Sequence, residues 1–88
     1  MLVIVGLSKL EDGTIQISIA RPQHHAKLVR SYTSEQEARE VLLEWGIDHE
    51  MVNEHLSRIL PALSVKQESK LAPMDIPLQQ LSTCGFNI

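Results

Sequence analysis

The chain has 88 residues (9.9 kDa), 43% of them hydrophobic and 22% charged, and its formal net charge of −3 accompanies a pI near 5.7. These values describe one ordinary small domain spanning residues 1–88. They leave no room for an intrachain disulfide, because Cys84 is the only cysteine, and no apolar run approaches the roughly 18 residues of a membrane-spanning helix.

Met1-Leu2-Val3-Ile4-Val5-Gly6-Leu7 is apolar but has no preceding basic region and no small-residue cleavage pattern, so it reads as a strand and not a leader. This strand, Leu2 to Leu10, meets the alternating Ile15-Gln16-Ile17-Ser18-Ile19 across Glu11-Asp12-Gly13-Thr14, where Asp-Gly is the favoured two-residue hairpin turn. A third strand over Lys27 to Tyr32 follows the loop Pro22 to Ala26 and extends the pair into a meander.

Helix signals come next. Ser34 and Glu37 form a capping box, and Ala38, Val41, Leu42 and Trp45 fall on one stripe before Gly46 ends the helix with Ile47 packed behind it. Asp48 is placed to cap a second helix, whose face is Val52, Leu56, Ile59, Leu60 and Leu63 and whose last turn Pro61 must distort. Residues 64–73 read as an exposed connector or a weak edge strand. The tail from Met74 to Leu81 predicts a short helix with Pro77 near its first position, stopped at Gly85, its apolar residues docked on the rest. The fold class is therefore α+β: a small antiparallel β-meander, a helical hairpin and a docked C-terminal tail.

With Asp12-Gly13 as a two-residue turn, Leu10 faces Ile15, Ser8 faces Ile17 and Gly6 faces Ile19. Ile4, Ile15, Ile17 and Ile19 then share one side while Val3, Val5 and Leu7 line the other, so both sides are apolar and one helical hairpin covers only one of them. This arrangement expects the tail and a second copy of the chain to share the remaining face. Val3, Val5 and Leu7 become partner contacts, joined by Leu43, which lies off the core stripe of its helix, and by Phe86 and Ile88 as anchors. A bulge near Gly6 is the alternative: a one-residue shift of register turns these assignments over and leaves a one-sided sheet.

Groups that carry chemistry are few. His24 and His25 stand beside Arg21, Lys27 and Arg30, but two histidines make half of a tetrahedral metal site and no acid lies in their loop. His49 and His55 are separated by about 240° around a helix and do not chelate together, and His55 reads as a boundary histidine. Cys84 falls at the end of a short helix, where the dipole opposes a reactive thiolate. No nucleophile elbow, phosphate-cradling loop or Cys-x-x-Cys pair is present, so the chain reads as no enzyme by motif, and no cofactor is implied. A lone thiol suits a reducing, cytoplasmic setting.

Charge is uneven. Residues 1–32 hold four basic residues against two acidic ones, residues 33–60 hold seven acids against Arg39 and Arg58, and Glu37, Glu40 and Glu44 form a ridge on the first helix. The leading expectation is a small cytoplasmic protein–protein interaction module, homodimeric through a sheet face or edge and open to another protein as well. The alternative is nucleic-acid binding through Arg21, His24, His25, Lys27, Arg30 and Tyr32, disfavoured by the acidic total and the single nearby aromatic. A metal- or ligand-linked role for His24 and His25 is the third. No feature points to a membrane partner.

Overall fold

The computed structural model of the chain describes residues 1–22, 27–65 and 67–86. Strands β1 (Leu2–Lys9) and β2 (Ile15–Ala20) pair antiparallel, but their loop is one residue longer than the two-residue turn that Asp12-Gly13 suggests. The Gly13 amide donates to the Leu10 carbonyl at 3.0 Å, the Leu10 amide donates to the Thr14 carbonyl at 2.8 Å, and Gly13 has φ 88°. That is the three-residue loop in which a left-handed residue closes a type I turn.

The consequence is a register shifted by one. Lys9 faces Ile15, Leu7 faces Ile17 and Val5 faces Ile19, so Val3, Val5 and Leu7 join Ile15, Ile17 and Ile19 on one face and Ile4 moves to the other. None of those six is more than 6% exposed. The one-sided sheet thus arises from loop length and not from a bulge near Gly6. The reverse face carries Gly6, Ser8, Gln16, Ser18 and Ala20, with Ser31, Glu68 and Lys70 in register beside them. Glu68 lies across Gly6: a Cβ there would sit 2.5 Å from its Oε1 and 2.6 Å from Ser18 Oγ. The doubled apolar sheet does not exist, and the argument for a second subunit covering Val3, Val5 and Leu7 falls with it.

The sheet order is β3-β2-β1-β4, with β3 (Lys27–Tyr32) the meander neighbour of β2 and β4 (Glu68–Lys70) formed within the connector. Strand β5 (Met74–Asp75) pairs with the start of β1. Helix α1 (Glu35–Glu44) begins at Ser34, whose Oγ accepts the Glu37 amide at 3.2 Å. The Glu37 carboxylate takes the Thr33 hydroxyl at 3.4 Å. Gly46 (φ 83°) ends the helix, with the Ile47 amide returning to the Leu42 carbonyl.

Helix α2 (His49–Asn53) follows Asp48, whose side chain makes no capping bond, contrary to expectation; only its carbonyl takes part, accepting the Val52 amide at 3.0 Å. Pro61 distorts the helix as predicted. It has no N–H for the carbonyl four residues back, and the chain answers with a π-helical segment, Glu54–Ile59, in which the Leu60 amide reaches the His55 carbonyl, before α3 (Leu60–Ala62). The tail helix α4 (Leu78–Thr83) has Pro77 as its N-cap, beside its first position as predicted, and Met74–Asp75 ahead of it is strand. Leu71, Ile76, Leu81 and Phe86 are buried with Ala38, Leu42, Val52 and Leu56, so helices and tail together close the apolar face. Among the described residues no helix is long and apolar enough to cross a membrane.

Candidate interaction edge

The residues expected to meet a partner are inside the domain. Val3, Val5 and Leu7 are fully buried, and Phe86 packs edge-to-face on Trp45 with ring centroids 5.4 Å apart. Leu43 is half-buried against the core cluster and is not a free surface leucine. Val3, Val5 and Leu7 are core groups because the one-residue register shift gives the sheet a single apolar face, and Phe86 is buried where the tail meets it. Ile88 lies outside the described residues.

The basic stretch is not brought together as one patch. His24 and His25 lie outside the described residues, and Lys27 opens β3. Arg21 is half-buried, its Nε sealed from solvent without a hydrogen-bond partner. Arg30 donates from Nε and Nη2 to the Gly85 carbonyl at 3.1 and 2.6 Å, which ties the tail to β3. Tyr32 is half-buried against the core, and its phenol is raised above the ordinary 10.0 by burial first and by the nearby Cys84 second.

What the fold does expose is the outer edge of β3. Its six residues pair with β2, from Ile15 opposite Tyr32 to Ala20 opposite Lys27, and among the described residues no strand pairs with its other side. The opposite edge of the sheet is broken into β4, of three residues, and β5, of two, with Pro73 and Pro77 flanking β5. Short, proline-flanked edges resist pairing, whereas a six-residue edge presents a row of backbone N–H and C=O groups. Leu28 is 38% and Val29 43% exposed on that strand, and Arg30 and Ser31 beside them are exposed too. Adjacent strand residues point to opposite faces, so a one-sided sheet must leave one of Leu28 and Val29 uncovered. That signal stood in the sequence but was hidden by the two-sided reading.

The remaining polar groups are occupied structurally. His55 Nδ1 lies 2.8 Å from the Oγ of buried Ser69, joining the π-helical segment to β4, as suits a boundary histidine. His49 Nδ1 lies 3.0 Å from Asn53 Nδ2, and Arg39 bonds Asn53 and Glu35 between α1 and α2. Cys84 is a half-buried free thiol 3.9 Å from Glu44 Oε2. No three His, Cys, Asp or Glu side chains cluster among the described residues. A surface depression lined by Leu10, Glu11, Asp12 and Val65 holds no histidine or nucleophilic thiol. Compared with family profiles, curated proteins and solved structures, the chain matches none.

Proposed function

We propose that the protein is a small cytoplasmic interaction module whose docking surface is the free edge of β3. The observation that supports this reading is the contrast between the two sheet edges: one is fragmented and flanked by prolines, the other runs for six residues and exposes Leu28 and Val29. A chain laid along that edge gains main-chain hydrogen bonds at every second residue and apolar contact with both side chains. The sheet face bearing Val3, Val5 and Leu7 is buried in the core, and the reverse face is mostly small and polar, so neither face suits this work as well as the edge. The nucleic-acid reading is weaker, since Arg30 is partly committed to Gly85, Tyr32 is half-buried and the reverse face offers no aromatic for stacking.

Photo-crosslinking in the living cell tests the proposal. Benzoylphenylalanine at position 29 is expected to give adducts of discrete mass, while the same probe at the exposed helical position of Gln36 gives none. Adducts at neither position, or equally at both, overturn it.

A further inference from the structure

The edge reading leaves the occupant open, and the charge around β3 narrows it. Between Asp12 and Glu35 the chain carries Arg21, Lys27 and Arg30 and no acidic residue, although the whole chain is at −3. The stretch of sequence that carries β2 and β3 is thus locally basic in an acidic chain. A second copy would add the same excess of basic residues to the same edge, and like charge disfavours that approach. A segment bearing carboxylates meets the opposite situation.

Arg30 is prepared for such a contact. The Gly85 carbonyl takes its Nε and one Nη2 proton and fixes the guanidinium on the exposed strand, which leaves three of its roughly five N–H donors for a carboxylate. Leu28 and Val29 stand between the two basic positions of the strand.

We propose that the β3 edge receives an acidic, extended segment of a different protein, with the pattern acid-apolar-apolar-acid set opposite Lys27, Leu28, Val29 and Arg30. The pattern reads the same in both directions, so it holds for parallel and antiparallel docking. This inference rests on the edge being the docking surface.

Fluorescence polarisation with the intact chain tests it, using labelled Thr-Glu-Val-Val-Glu-Thr, its counterpart Thr-Lys-Val-Val-Lys-Thr and oligothymidylate. The acidic peptide is expected to bind about tenfold more tightly than the basic one, with the preference shrinking as salt rises. Arg30→Glu should reverse that preference, and Arg30→Gln, which keeps a donor for the Gly85 carbonyl, should reduce it without unfolding the chain. Equal binding of the two peptides overturns the charge selection and leaves the edge standing. Binding of neither peptide, with no change in amide exchange on β3, removes the edge itself. Oligothymidylate binding more tightly than the acidic peptide overturns the protein partner, and a dimer in light scattering that is crosslinked through position 29 assigns the edge to a second copy.

Discussion

Asp12 holds the loop that sets the register of the whole sheet. Its Oδ1 accepts the Thr14 amide at 2.9 Å, and that bond, followed by one from the Thr14 side chain, lowers the carboxyl below its ordinary 3.8. A carboxyl depressed in the folded state binds fewer protons than in the unfolded chain, so its stabilisation is complete above 3.8 and is lost as pH falls through the folded value. Asp12→Asn should therefore flatten the acid limb of stability in urea denaturation between about pH 2 and 6; an unchanged slope would show that the loop bond is not linked to folding. Asp12-Gly13 was legible as a turn from the sequence, but not the length of its loop. A two-residue turn strands Val3, Val5 and Leu7 opposite the core, and burying each is worth about 1.5–3 kcal/mol. Three such side chains outweigh the local preference of one dipeptide, which is why the longer loop forms and why turn chemistry alone misassigned the faces.

Among the elements, the hairpin, α1 and the stop at Gly46 were readable because each rests on contacts within a few residues. Residues 64–73 were readable only as a connector or a weak edge strand, since the three-residue β4 exists through its pairing with Gly6, Leu7 and Ser8. Its second anchor is the bond from His55, in the π-helical segment that Pro61 imposes, to Ser69. Ser69 is 8% exposed, so removing one partner leaves a buried polar group without its bond, at a cost of about 1–3 kcal/mol. His55→Leu and Ser69→Ala should each lower stability by roughly that amount, and the double variant by less than their sum, with a coupling of about 0.5–2 kcal/mol. Chemical denaturation of the four proteins measures the cycle. Additivity would mean that β4 is held by its ladder alone. Gly6 offers a related check on the reverse face. Gly6→Ala brings a Cβ against Glu68 and Ser18, and should destabilise by about 1 kcal/mol while Glu68→Ala in the same chain recovers part of the loss.

At the scale of the molecule the protein is asymmetric twice over: one sheet face is covered and one is open, and one sheet edge is fragmented and one continuous. Strand β1 has partners on both sides, β2 and then β4 and β5, so opening its amides requires breaking the centre of the sheet. β3 has β2 alone. Hydrogen exchange should accordingly rank β1 amides as the slowest, near the global unfolding limit, with alternate amides of β3 exchanging at near solvent rates because they face outward. Val29 is 43% exposed and contributes little to the core, so Val29→Glu should change stability by no more than about 0.5 kcal/mol. In the docked state it places a carboxylate where an apolar side chain and an acidic segment meet. Binding of the acidic peptide should then be lost, together with the protection that the peptide confers on the outward amides of Leu28 to Ser31. If Val29→Glu instead unfolds the chain, β3 belongs to the core and not to the surface. If the variant folds and binds as before, the partner lies on another part of the molecule, and the exposed Leu28 and Val29 are the unprotected rim of a sheet that nothing completes.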